Sequence, residues 1–269
     1  MLSDDVILGR LDSAVTAARN AGDHILNQDI SGIRVSPKGL NDSVSETDFA
    51  VEEMISDYLR EHHPEDGFFG EEQGESGTGN GEGGRWIVDP IDGTDNYIRG
   101  IPNFTVSIAY EDHSGRLALG VVFNPVQKEL FTGVMGSGAF LNGNPINVSG
   151  VTDPSDAVSI IAPPRKNHER TSDYFRLMED IFLHTRDVRR FGSAAQDLCY
   201  VACGRVDAYY EMGLHYYDIA AGMVILSEAG GRYSAFSDSE VLTEDGNILA
   251  TNGNLQDWYS EKIHDTMGA

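Results

Sequence analysis

Cysteine is nearly absent: the 269 residues contain two, Cys199 and Cys203. Four apart in an apparently helical stretch, they share a helix face but suit neither a disulfide framework nor a zinc site, and they read as buried reduced thiols. Basic residues are also scarce. Nineteen Lys and Arg stand against 43 Asp and Glu, a formal net charge of −24, and repulsion on that scale excludes nucleic acid and anionic membrane surfaces as expected partners. No apolar run approaches the roughly 20 residues of a spanning helix. The amino terminus, "MLSDDVILGR", opens with acids where a leader would carry a basic region. The expectation is a soluble, cytoplasmic protein without internal repeats or a low-complexity tail. The acid excess either serves solubility or marks cation-rich surroundings, and a small anionic substrate requires a bound cation or local donors that reverse the field at one site.

The length exceeds one average domain and allows a sizeable core. Apolar residues Leu11, Ala14, Val15, Ala18, Ala21 and Ile25 recur at helical spacing. A second helix is predicted in "SETDFAVEEMISDYLREHHP", with Ser45 and Asp48 at capping-box spacing, and the segment between the two, "SPKGLNDSV", reads as a turn-rich connector. The run "QGESGTGNGEGG" is too poor in apolar residues to pack, so residues 73–84 are expected to form a mobile loop that gates the site; it lacks the Gly-Lys-Ser/Thr ending of a phosphate-cradling P-loop. Then "RWIVD", "FTVSIAY", "LALGVVF" and "ELFTGVM" read as strands of one largely antiparallel sheet. Past residue 150 strands and helices alternate, which implies a second α/β layer. The predicted class is mixed α/β with two subdomains: residues 1–149 with a large, mostly antiparallel sheet, and residues 150–269 with a smaller mixed one.

The stretch "WIVDPIDGTDNY" crowds Asp89, Asp92 and Asp95 together just after a β-rich run. Either the three carboxylates splay into water or a cation sits among them. A strand ending at Asp89-Pro90, followed by a turn into a short helix, would aim Asp89, Asp92 and the Ile91 carbonyl into one concavity. Oxygen ligands of that kind suit Mg²⁺. The backbone N–H groups of Gly93 and Thr94 would supply an anion-binding corner beside it. A lone Asp-x-x-Asp-Gly is more often an ordinary acidic turn. Here it has company: "GEE" at 70–72 and "YDIAAG", with Asp218 in the first turn of a helix, each place a carboxylate at the end of an element.

Together "FFGEE", "WIVDPIDGTDNY" and "YYEMGLHYYDIAAGMVILSEAGG" resemble the three signature blocks of the inositol monophosphatase family, the lithium-sensitive, magnesium-dependent phosphomonoesterases, and the likeness runs along nearly the whole chain. The resemblance implies alternating α-β-α-β-α layers, usually a homodimer, with a site between the subdomains. Carried over residue by residue, it makes Glu71, Asp89, the Ile91 carbonyl, Asp92 and Asp218 ligands for two or three Mg²⁺ ions, with Mn²⁺ able to substitute. Glu71, Thr94 and Asp48 match the residues that orient or activate the attacking water, and Gly93 and Thr94 match the phosphate-binding backbone. Asp92, Ala194 and Glu211 match positions that contact inositol hydroxyls. Two residues depart from the pattern: Tyr217 replaces the usual tryptophan, and Asp95 stands where threonine or lysine is common.

The implied activity is release of myo-inositol and phosphate from inositol 1-phosphate. Histidinol phosphatase or another sugar or nucleotide phosphatase is the alternative on the same metal core, and a non-catalytic acidic cation-binding protein is the rival of a different class. Among the bystanders, His215 reads as structural, because carboxylates and water serve Mg²⁺ better. Ser193 lacks an evident base, and Lys38 reads as a solvated lysine of the connector.

Overall fold

A computed structural model describes residues 4–29, 35–39, 42–76, 83–163, 168–237 and 240–268. The core of the glycine-rich run, 77–82, lies outside the described residues, as does the side chain of Lys38. Helices α1 (Asp4–Leu26) and α2 (Glu46–His62) cover one face of an eight-stranded sheet. The expected stripe of α1 is buried: Ala14, Ala18, Ala21 and Ile25 are at most 1 % exposed. Within the connector expected to be turn-rich, β1 (Val35–Gly39) pairs antiparallel with β2 (Asp42–Ser45).

The large sheet contains β3 (Gly67–Gly70), β4 (Gly74–Ser76), β5 (Arg85–Asp92), β6 (Thr105–Glu111), β7 (Leu117–Asn124), β8 (Glu129–Val134), β9 (Gly138–Leu141) and β10 (Asn144–Ile146), in the order 10-9-8-7-6-5-3-4. Only the β3–β5 pair within it is parallel. Strand β4 takes up the first residues of the segment expected to be a loop, where alternate side chains need no core because the strand sits at the sheet edge. The tight turn at Asn142-Gly143 has both residues at positive φ, 50° and 77°, which matches the twist of the β9–β10 hairpin.

The opposite face of the large sheet packs on α5 (Ala194–Ala202) and α6 (Tyr216–Glu228). Helix α6 lies so close that a Cβ added at Gly120 of β7 would come within 2.3 Å of the Ala221 carbonyl oxygen, a distance no side chain tolerates. Beyond α5 and α6 lies a five-stranded sheet in the order β12 (Asp187–Arg189), β11 (Val158–Ala162), β13 (Ala208–Glu211), β15 (Ile248–Thr251), β14 (Arg232–Ser234). It is mixed: β12, β11 and β13 run parallel, while β15 is antiparallel to its neighbours. Its far face carries α4 (Thr171–His184) and, past the short α7 (Leu242–Asp245), α8 (Gln256–Met267), closed over Tyr174, Leu177, Tyr259 and Ile263. The layers therefore run α-β-α-β-α. Each large apolar side chain fully buried between them contributes about 1.5–3 kcal/mol.

Candidate active site

Strand β5 does not stop at Asp89-Pro90. It continues to Asp92 through an irregularity: Asp89 pairs with Ser107 and Asp92 with Thr105, so one extra residue is accommodated around Pro90-Ile91. Proline is tolerated there because a bulge has no ladder bond to lose. Residues three apart on a regular strand face opposite sides of the sheet, and the extra residue cancels that offset. Asp89 and Asp92 thereby turn toward the same concavity, and ligand oxygens of Asp89, Asp92 and Asp218 lie within 4.8 Å of one another.

Each carboxylate is held by backbone donors. Asp89 accepts the Ile91 N–H at 3.0 Å. Asp92 reaches across to the start of α5, where it accepts the Ser193 hydroxyl at 2.6 Å and the Ala194 and Ala195 N–H groups at 3.2 and 2.8 Å. Ser193, expected to lack a base partner, thus donates to a carboxylate and helps to hold Asp92 in place. Asp218 closes a capping box on α6, accepting the His215 N–H at 2.6 Å. The His215 ring stacks on Tyr217 with centroids 5.1 Å apart, and Tyr217 also packs against Phe69.

Glu71 follows the last residue of β3, its N–H donating to the Val88 carbonyl at 3.1 Å, and its side chain lines the same cleft. Asp48 lies at the third position of α2, where its carboxylate accepts the Ser45 N–H at 2.9 Å in the expected capping box. The Thr94 hydroxyl connects this helix to the bend, 3.1 Å from Asp48 Oδ1 and 3.0 Å from the Ile91 carbonyl oxygen. Gly93 precedes α3 (Thr94–Ile98) at φ 96°, and a Cβ there would meet the Gly192 carbonyl at 3.0 Å, so both backbone geometry and space favour glycine.

The electrostatics are those of acids forced together. Burial, reinforced by Glu71, Asp92 and Asp218, pushes the Asp89 carboxyl well above the usual range. Burial followed by Asp92 and Glu71 does the same to Asp218, against the opposing pull of the His215 N–H. Burial also raises Asp48 to about 6, although its bonds to Ser45 resist. Such groups ionise together only if positive charge joins them. The donors are carboxylate and carbonyl oxygens, the set that suits a hard divalent cation.

Every candidate from the sequence except Asp48 lines one cleft: Glu71, Asp89, Ile91, Asp92, Gly93, Thr94, Ala194, Glu211 and Asp218. Asp48 lies behind it, bonded to Thr94. The cleft measures about 810 Å³ including its part open to solvent. Glu211, at the end of β13, accepts the Tyr209 hydroxyl at 2.6 Å. Asp95 is also in the lining, so its charge does fall beside the cleft.

Three further residues escape a reading of the sequence. Arg190 brings a cation to the cleft from the segment after β12, and no motif marks it. Asp197 of α5 is buried nearby, its carboxyl pushed well up by burial and then by Glu211 and Asp92. Glu52 of α2 is fully buried and accepts the Glu72 and Gln73 N–H groups; a charged residue between Val51 and Ile55 on the apolar face was the available signal.

Five layers and a carboxylate-lined cleft between the two sheets define a layered α/β protein suited to metal-dependent chemistry on a small anionic molecule. The sequence pattern of the inositol monophosphatase family matches residues 10–267, and the chain belongs to that family. It is 40% identical over 247 residues to the Nus factor SuhB of Pseudomonas aeruginosa, covering 90% of this chain and 91% of that one. The Escherichia coli Nus factor SuhB is 39% identical over 244 residues, with the same coverage of both chains. Among solved structures, the extragenic suppressor protein suhB from Bartonella henselae superposes with a TM-score of 0.90 at 35% identity, covering 94% of this chain and 97% of that one. An inositol monophosphatase from Anabaena gives 0.83 at 33% identity and covers 97% of both chains. Membership carries a coarse assignment: a phosphatase of a metal-dependent superfamily whose substrates are small phosphorylated molecules. No helix among the described residues is long and apolar enough to cross a membrane.

Proposed function

We propose that the chain is a magnesium-dependent phosphomonoester hydrolase, an inositol-1-monophosphatase that releases myo-inositol and phosphate, working in the cytoplasm as a homodimer of two-subdomain chains divided near residue 150. The observation that carries the reading is the meeting of Asp218, from α6, with Asp89 and Asp92 at the β5 bulge. Glu71, Asp89, the Ile91 carbonyl, Asp92 and Asp218 are the residues that would hold two or three ions, with Mn²⁺ as a substitute. Bound there, a divalent cation supplies a Lewis acid that polarises phosphoryl oxygens, acidifies water and balances the leaving alkoxide.

The remaining work falls to the chain. The Thr94 hydroxyl, bonded to Asp48, is placed to receive a proton from the attacking water. Asp48, raised to about 6, is close enough to neutrality to take that proton up and return it. Gly93 and Thr94 open α3, where first-turn N–H groups have no partner within the helix and can steady phosphoryl oxygens. Glu71 orients the water from the other side of the cleft, and Asp92, Ala194 and Glu211 align the alcohol portion. Glu211, already an acceptor from Tyr209, favours a polyol with several hydroxyls and supports the inositol reading over histidinol phosphate.

A phosphate-release panel of inositol 1-phosphate, histidinol phosphate, fructose bisphosphate and nucleotide substrates, with Mg²⁺ and with lithium added, tests this reading. The expected result is magnesium-dependent, lithium-sensitive turnover fastest on inositol 1-phosphate. A preference for histidinol phosphate would reassign the substrate. No turnover on any of them would favour a non-catalytic role.

A further inference from the structure

We propose that Glu52 positions Glu71 and thereby sets the affinity of the acidic cleft for its cation; this rests on the reading that the cleft binds one. Glu52 is 0 % exposed. Its Oε2 accepts the Glu72 N–H at 2.9 Å and its Oε1 the Gln73 N–H at 2.8 Å. The Glu71 N–H donates to the Val88 carbonyl at 3.1 Å. The backbone on both sides of the Glu71 side chain is therefore tied, to β5 before it and to α2 after it. Gly70 completes the clamp, because a Cβ at that position would fall 2.5 Å from the Glu52 carboxyl carbon.

Chemistry explains why a glutamate stands there. A buried carboxylate is costly unless donors satisfy it, and an apolar residue would simply have extended the face formed by Val51 and Ile55. Two adjacent N–H groups need two acceptor oxygens. A glutamine offers one oxygen and one NH₂, and the NH₂ would confront an N–H. Helix α2 is thus used twice, one turn apart: Asp48 bonds Thr94, and Glu52 fixes the turn that presents Glu71.

Calorimetric titration of metal-free protein with MgCl₂ tests this in four forms: wild type, Glu52→Gln, Glu71→Gln and the double variant. Glu52→Gln is expected to weaken Mg²⁺ binding by roughly 10–100-fold, the usual cost of losing a partner that orients a ligand. Its kcat at saturating Mg²⁺ should stay near wild type, while the Mg²⁺ concentration for half activity rises by the same factor. In the Glu71→Gln background the further change at residue 52 should have no effect. An equal loss in both backgrounds would mean that Glu52 acts through its charge alone, and that overturns the positioning role; so does unchanged affinity in Glu52→Gln. Gly70→Ala keeps the carboxylate but displaces it, so it should reproduce the weaker binding and serves if Glu52→Gln fails to fold; wild-type affinity there also overturns the proposal. Absence of Mg²⁺ binding in the wild type would remove the underlying reading itself, a result visible in the first titration.

Discussion

Among the described residues, two clusters each gather three side chains able to hold a metal: His63, Glu65 and Asp66 in one, Asp89, Asp92 and Asp218 in the other. In the first, Arg10 of α1 is inserted between the acids, its Nε 2.9 Å from Asp66 and its terminal nitrogen 2.7 Å from Glu65. The Tyr110 hydroxyl and the Gly84 N–H complete the shell of Asp66 at 3.0 and 3.1 Å. Burial alone would pull the Arg10 guanidinium down, but its bond and proximity to Asp66 raise it. In the second cluster, the neighbours that act most strongly on Asp89 by charge are themselves acids. Proximity of acids is common to both clusters. What separates a structural cluster from a candidate metal centre is whether the counter-charge is built into the chain or must come from outside.

That contrast can be broken from either side. The largest effect is expected for Asp89→Asn, which removes charge where the proposed ions gather: turnover should fall by about 10³-fold, as for loss of a preorganised electrostatic group, with the fold retained by circular dichroism. Turnover near wild type would remove Asp89 from the chemistry. The mirror change, Arg10→Met, leaves Asp66 buried without its cation and should cost about 3–5 kcal/mol of stability. Denaturant unfolding measures it, and Mg²⁺ affinity at low temperature should not change.

The next effect is a pH dependence centred on the second cluster and its neighbour Asp48; in the first, burial shifts His63 the other way, below the usual imidazole range. Asp48 has a folded pKa of about 6 against an ordinary 3.8, and burial among acids raises Asp89 and Asp218 as well. When the folded value exceeds the unfolded one, the folded protein holds the proton more tightly. The benefit is full below about pH 4 and is lost as pH rises through the folded value. For Asp48 in the metal-free protein this amounts to on the order of 3 kcal/mol across that window. Melting in EDTA should therefore occur at lower temperature as pH climbs from 4 through 6 and beyond, and Mg²⁺ should restore stability increasingly over the same range. A Mg²⁺ effect as large at pH 4 as at pH 7 would contradict the assignment.

Smaller effects sharpen the comparison. Gly93→Ala meets a φ of 96° and the Gly192 carbonyl, so a loss of about 1–3 kcal/mol is expected together with weaker phosphate inhibition. Tyr217→Trp, which restores the residue common in the family, should change stability by less than about 1.5 kcal/mol and leave Mg²⁺ affinity unaltered. A large shift in affinity would show that the ring acts on Asp218 and not only on Phe69 and His215.

Local pattern alone located α1, α2 and the strands β5 to β8, because an amphipathic stripe or a β-rich run bounded by turn residues is a local property; α6, buried nearly all round, was read from an apolar run closed by a glycine pair. The edge strand β4 and the β1–β2 pair were not legible. Their polar, glycine-containing segments pair because a neighbouring strand or partner segment offers free backbone groups, and nothing in their own composition says so. In the cleft, the acids of the β5 bend were visible as a cluster, "GEE" at 70–72 and Asp218 were visible as carboxylates at element ends, and the resemblance to a family gave Glu71 and Asp218 ligand roles. The continuation of β5 through Pro90 was missed, since proline ends a regular strand and only the register with β6 shows that it is absorbed in a bulge.

The amino-acid sequence by itself determined the types of α1, α2 and the strands β5 to β8, the excess of negative charge, the few cysteines and the glycine that α3 needs before it. Tertiary structure alone decided that the hydroxyl of Ser193 and the start of α5 receive Asp92, that Arg190 reaches the cleft, and that Glu52 grips the turn carrying Glu71. The reason is physical: propensity and periodicity act over a few residues, whereas the field around a buried carboxylate is made by whichever groups the packing of α5 and α6 between two sheets brings within a few ångströms.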